Sequence, residues 1–355
     1  MLETKRWDSI DFIKGIACIL VVLIHFNFPG SLGVWARVVG TLGVPIFFLV
    51  SGYFLGWIPG KMLDANKIVR KIKHIFVIII GASITYAIFT VLYRWIIIGE
   101  IGLRSYILGL LSPTKVINFF VTNDPFAYSH LWFLFALIYC YLFVMFIPFK
   151  SKKVIGIVGV GFMVTFLLLT VYNEWFPIPG YLKVPDMELG CCLFNLFLFR
   201  GLGFFLIGML FSACVEQITT LNISNKLLVG LVVVGCGLAV FEHINLKEAQ
   251  FYLGTYLALF AVTIWAIRNP QGGNNYIRYI GRELSLYIYV LHVAVGKVIT
   301  WILNKNFGEG QGVNSYFSAL LILGTSILVA FGVNEMRKKI KTLWTGRNKV
   351  VVIEG

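Results

Sequence analysis

DFIKGIACILVVLIHFNF, residues 11–28, is apolar enough to lie in a membrane, yet it holds Lys14 near one end and His25 near the other. A charge at the centre of a bilayer costs about 3 kcal/mol on insertion scales and more in simulations. An ionisable residue in a spanning helix therefore marks a functional position by default.

The rest of the chain makes the membrane reading general. Of 355 residues, 59% are hydrophobic and only 13% charged. Mean hydropathy is +0.86. No polar stretch is long enough to fold alone, so the mass of the chain belongs in the bilayer. The net charge of +14 invites a nucleic-acid partner, but its distribution argues against one. The basic residues gather at alternate ends of apolar runs, the positive-inside pattern, and form no basic stripe with interleaved aromatics. The six cysteines (Cys18, Cys140, Cys191, Cys192, Cys214 and Cys236) show no CxxC pair. No His/Cys cluster has zinc spacing, so no metal site is expected. They read as structural thiols, and nothing supports a redox role for the adjacent Cys191 and Cys192. The N-terminal MLETKRWDSID is basic before an apolar run, without a convincing small-residue cleavage site. The first helix is therefore expected to be retained.

A spanning helix needs about 20 mostly apolar residues. Ten runs qualify: 12–29, 36–57, 75–97, 130–148, 154–172, 194–214, 227–242, 252–267, 284–303 and 316–335. The fold class is thus an all-α polytopic membrane protein. Lys61, the 67–73 cluster, Lys150 to Lys153, Arg268 to Arg282 and Arg337 to Lys341 fall on one side, with Lys5, Arg6, Arg347 and Lys349. That asymmetry places both termini in the cytoplasm. Residues 1–335 are expected to form one transmembrane domain and 336–355 a basic cytoplasmic tail. Two outer connections are long, 98–129 and 173–193. They either supply an acceptor site or lie as connectors at the interface. No internal repeat and no inverted pair of broken helices stands out. GIVGVG (156–161) and GLVVVGCG (230–237) suit close helix packing.

Lys14 and His25 are eleven residues apart. At 100° per residue they lie about 20° from the same face, about 16 Å apart along the axis. A long ligand fits that spacing, with an anionic group at Lys14 and a reactive group beside His25. Coenzyme A thioesters have this shape. Imidazole is the usual general base for a hydroxyl at neutral pH. Alternatively, Lys14 snorkels to the head groups and His25 bonds a neighbouring helix. Asp11 either orients Lys14 at i,i+3 or caps the helix start. Arg70 and Lys73, in VRKIKHI (69–75), are i,i+3 neighbours able to grip one anion, or plain positive-inside charge. Ser51-Gly52, in VPIFFLVSGYFL (44–55), suits packing, since no GxSxG elbow surrounds the serine. His130 and Trp132 open HLWFLFALIY, either as acceptor-binding residues or as part of an interfacial belt. SLYIYVLHVAV (285–295) sets His292 mid-helix with Tyr287 and Tyr289, for function or for a structural network.

Taken in order, these residues resemble acyltransferase family 3, a family of integral-membrane O-acyltransferases, over nearly the whole chain. The basic residue, ten others and then His reads as Lys14 to His25, after Asp11. The FFLSG-like second helix resembles Phe47 to Gly52, and the Arg-x-x-Arg pair resembles Arg70-x-x-Lys73, with Lys replacing the second Arg. The HLWFL motif is His130 to Leu134, and Leu-Tyr-x-x-x-x-His is Leu286 to His292. The resemblance implies a multi-pass protein of the cell (inner or plasma) membrane. It implies transfer of an acyl group, commonly acetyl, from cytoplasmic acyl-CoA to a hydroxyl of a sugar or lipid-linked glycoconjugate. His25 would be catalytic, and Lys14, Arg70 and Lys73 would bind the donor. Lys73 makes no bidentate fork. Acyl-CoA would be a co-substrate, with no permanently bound cofactor. Many relatives carry a soluble domain after the helices, whereas this chain ends about twenty residues past its last run. An extracytoplasmic partner protein would then complete the transfer, or the membrane part works alone as in stand-alone enzymes. Two other readings remain: a transporter or binding protein for a small solute such as an amino acid, and a subunit that hands groups to a partner.

Overall fold

The computed structural model describes residues 7–61, 63–98, 109, 112–113, 128–147, 149–172, 198–246, 249–308 and 316–350. Each of the ten apolar runs overlaps a helix among the described residues, where no strand occurs. Among the described residues, five helical spans are long and apolar enough to cross a membrane: Gly30–Tyr53, Ala65–Ile96, Asn225–Asn245, Asn275–Phe307 and Tyr316–Leu343. The protein is an all-α polytopic membrane protein. Most of the 98–129 connection, all of 173–193 with Cys191 and Cys192, and Lys5 and Arg6 lie outside the described residues. Arg104, Lys115, Lys183 and Lys247 do so too, as do the Arg347 and Lys349 side chains.

The chain packs as two units, Met1–Gly43 with Asn269–Gly355, and Val44–Arg268. In the first, α1 (Asp8–His25) is followed by α2 (Gly30–Gly40). The first run was expected to reach residue 29, but α1 stops at His25. Pro29 disfavours helical backbone before it, and Gly30 sits at φ 64°. The Asn27 side chain accepts from Phe28 N–H at 2.9 Å and donates to the Gly33 carbonyl at 2.8 Å, fixing the turn. α2 returns antiparallel along α1, with Gly40 against Leu20 and Ile24 and Gly43 against Ala17 and Val21.

Three further helices belong to this unit: Asn275–Tyr279, Ser285–Phe307 and Tyr316–Val350. A π-helical turn, Ile280–Leu284, joins the first two. Along α1 the contacts rise together: Asp8 with Arg278, Cys18 Sγ with the Ser285 carbonyl, His25 with His292, and Phe26 with Gly296. The Ser285–Phe307 helix therefore runs parallel to α1. The Tyr316–Val350 helix continues past the expected end of its apolar run at 335. A helix needs no hydrocarbon to persist, and Lys338 pairs with Glu335 at 2.8 Å one turn away.

At Gly281 α1 and the π-helical turn approach closely, and a methyl there would lie 1.8 Å from the Asp11 carbonyl oxygen. Gly281→Val is expected to cost at least the ~1–3 kcal/mol of ordinary overpacking. The buried Cys18 thiol reports this: thermal unfolding in detergent, followed by its labelling, should begin at a lower temperature. An unchanged midpoint would contradict the contact.

In the second unit, α3 (Gly43–Tyr53) holds Pro45 in its first turn, where a missing N–H is tolerated. That break splits the single run expected over 36–57 into α2 and α3. Then come α4 (Ala65–Tyr93), α5 (Trp132–Phe146), α6 (Lys152–Thr170), α7 (Gly203–Ala213), α8 (Val215–Thr220), α9 (Asn225–Asn245) and α10 (Leu253–Arg268). With these, the three later helices of the first unit become α11, α12 and α13. Side-chain caps from Asp64, Ser151 and Ser224 start α4, α6 and α9. Gly52 lets α3 meet α7, since a methyl there would lie 2.0 Å from the Phe205 carbonyl oxygen. Of the expected packing glycines, Gly235 presses on Ala258, Gly159 on Ile207 and Gly156 on Leu210, while a methyl at Gly161, Gly230 or Gly237 would meet nothing within 4 Å.

Candidate functional site

α1 is unbroken from Asp8 to His25, so the spacing argued for Lys14 and His25 holds on one helix face. Lys14 Nζ lies 3.2 Å from Asp11 Oδ1, so of the two roles weighed for Asp11 the structure has the i,i+3 pair. Both side chains are largely covered, at 21% and 17% exposure, which strengthens their attraction relative to open water. Arg278 braces the same end: it reaches Asp8 at 3.4 Å and donates to the carbonyls of Gly272 and Gln271. The lower end of α1 is thus a small network of charges.

His25, the last residue of α1, is exposed, and as a basic residue it suits a helix C-terminus. His292 on α12 is fully buried, and the two ring centroids are 5.1 Å apart. His292 Nδ1 lies 3.0 Å from the Ile288 carbonyl and 2.9 Å from that of Tyr289. Tyr289 itself is buried, its ring centroid 6.5 Å from that of His292. The structure therefore brings together Asp11 with Lys14, and His25 with His292 and Tyr289, all in the first unit.

The other predicted residues belong to the second unit. Arg70 and Lys73 are both exposed on α4. Their neighbours Lys67 and Lys71 face the unit instead: Lys67 Nζ donates to the Leu55 carbonyl at 2.7 Å, and Lys71 Nζ sits 5.8 Å over the Tyr141 ring. Ser51 lies beside Gly52, whose tight contact with the Phe205 carbonyl fits a packing role. His130 is buried, with Nε2 3.3 Å from Tyr86 Oη, and the Tyr86 ring lies tilted against Tyr128, centroids 4.2 Å apart. Trp132 lies under Arg200, whose guanidinium carbon is 4.3 Å from the ring centroid.

Arg200 and Glu242 were missed in the sequence. Arg200 interrupts LFNLFLFRGLGFFLIG, and the rule that singles out Lys14 applies equally to it. Glu242 is buried, accepts from Tyr172 Oη and from the Leu253 and Gly254 N–H groups, and so caps the start of α10. It is the last residue of the run 227–242, and nothing in the sequence shows that Tyr172 and the start of α10 meet it there. A cavity of about 330 Å³ lies in the second unit, lined by Trp57, Lys61, Phe149 and Lys150 among others. None of the predicted site residues lines it. Among the described residues no group of three metal-ligating side chains comes together.

What the first unit offers chemically is an imidazole at one end of a helix face and an ammonium at the other. No curated protein and no solved structure matches the chain. Residues 7–334, nearly its whole length, match the family described as an acyltransferase domain, and the chain belongs to that family, the integral-membrane acyltransferase family 3.

Proposed function

We propose that the protein moves an acyl group, acetyl in the simplest case, from cytoplasmic acyl-CoA to a hydroxyl of a sugar or lipid-linked glycoconjugate. The observation that carries this reading is Lys14 and His25 on one unbroken helix face, in a chain of an acyltransferase family. Lys14 binds an anionic group of the donor. His25 takes the proton of the acceptor hydroxyl, whose oxygen attacks the thioester carbonyl. The carbon–sulfur bond breaks, and the coenzyme A thiolate recovers the proton from His25. Arg70 and Lys73 are proposed as further donor-binding residues on the resemblance, and their exposed positions on α4 leave them accessible.

The proposed membrane is the cell (inner or plasma) membrane, with Lys14, Arg278 and Arg282 toward the cytoplasm by the positive-inside rule. The parallel course of α1 and α12 supports ten crossings. Two parallel crossings must be separated by an odd number of others, and seven of the apolar runs lie between them.

The test is calorimetry of acetyl-CoA against the purified protein in detergent, at low and high salt. Binding that weakens with salt is expected, because the contacts proposed are cation–phosphate pairs. Absence of binding to folded protein would contradict the reading.

A further inference from the structure

His25 stands beside a second imidazole whose proton placement the structure fixes. A carbonyl oxygen accepts and never donates, so His292 Nδ1, held between the Ile288 and Tyr289 carbonyls, must carry the proton. In the neutral ring Nε2 is then the lone-pair atom. The ring is fully buried and cannot turn freely, and its centroid lies 5.1 Å from that of His25. One turn further along α12, Gly296 is pressed against the Phe26 ring, where a methyl would lie 1.9 Å from a ring carbon. Seven residues earlier on each helix, Cys18 Sγ donates to the Ser285 carbonyl at 3.3 Å. The two rings are therefore held in register by contacts on both sides of them.

We propose that His292 is a positioning residue for His25. When the acceptor binds, His292 Nε2 accepts a hydrogen bond from the far N–H of His25, whose ring centroid lies 5.1 Å away, and so selects the His25 tautomer whose other nitrogen faces the acceptor hydroxyl. When His25 takes the hydroxyl proton, both its nitrogens carry hydrogen, and the His292 lone pair stabilises that imidazolium. His292 itself gains no proton, and the proton on His25 leaves with the coenzyme A thiolate. This rests on His25 being the base, as proposed above.

The two ring nitrogens are separable by substitution. Asn imitates Nδ1–H and can keep the bond to the α12 carbonyls while losing Nε2. Gln reaches the position of Nε2 and can offer an oxygen to His25. Coenzyme A thiol release from acetyl-CoA is followed for wild type, His25→Ala, His292→Asn and His292→Gln, with methyl glycosides and water as hydroxyl acceptors. His292→Asn is expected to lose about 10²-fold in kcat, within the range for a positioned base, with the donor KM unchanged. His292→Gln is expected to recover at least tenfold of that loss. A purely structural histidine predicts lower thermal stability, with the two variants alike in kcat. Should Asn fail to fold, Gln alone decides: activity within tenfold of wild type supports the inference, and loss as deep as in His25→Ala overturns it. Asn and Gln both at wild-type kcat, with His25→Ala inactive, overturn the inference and leave the base standing. Full turnover in His25→Ala, or no thiol release by the wild type, overturns both.

Discussion

Replacing His25 with alanine is expected to lower kcat by about 10³-fold, the middle of the range for loss of a general base. The donor KM should stay within about twofold, because the imidazole acts on the acceptor proton and not on the phosphates. The variant should remain folded. His25 is the last residue of α1 and exposed, so alanine leaves no cavity, and alanine costs less than histidine in hydrocarbon. Steady-state rates with the donor varied check this. Wild-type turnover in the variant would remove His25 from the chemistry, whereas a raised donor KM at unchanged kcat would make it a donor-binding residue.

The second large effect is at Lys14. A charge-assisted hydrogen bond contributes about 1.5–3 kcal/mol, so Lys14→Ala should raise the donor KM roughly 10- to 100-fold. The alanine variant also leaves Asp11, 3.2 Å from the missing ammonium, as an unbalanced negative charge facing the incoming phosphates. That pushes the effect toward the upper end. Lys14→Arg keeps the cation and should restore most of the affinity. An unchanged donor KM in Lys14→Ala, with the acceptor KM raised, would reverse the direction in which the ligand lies along α1.

The residues visible in advance share one property. Lys14, His25 and His292 are ionisable groups inside apolar runs, and hydrocarbon makes each conspicuous whatever surrounds it. The helices themselves were legible for the same reason, because length and apolarity set them. Their ends were less so. Asn27 and Pro29 fix the turn after His25 through side-chain hydrogen bonds and a disfavoured backbone angle, and two such residues do little to the mean hydropathy of so apolar a run. The pairing of His25 with His292 was not legible at all, since the two lie 267 residues apart and depend on α12 running parallel to α1. Arg70 and Lys73 show the reverse limit. Spacing made them neighbours, but only the packing of α4 reveals that Lys67 and Lys71 take the covered side. Arg200 was legible and overlooked, and its stacking on Trp132 makes the aromatic start of α5 more than an interfacial belt.

The most direct test of the account is transfer itself. The protein is reconstituted in proteoliposomes, given acetyl-CoA labelled in the acetyl group, and offered methyl glycosides and a polyprenyl-linked sugar. Wild type should pass label to a sugar hydroxyl with stoichiometric release of coenzyme A, and His25→Ala should not. Label transfer that persists in His25→Ala, or movement of a solute across the bilayer without any consumption of acetyl-CoA, would contradict the account.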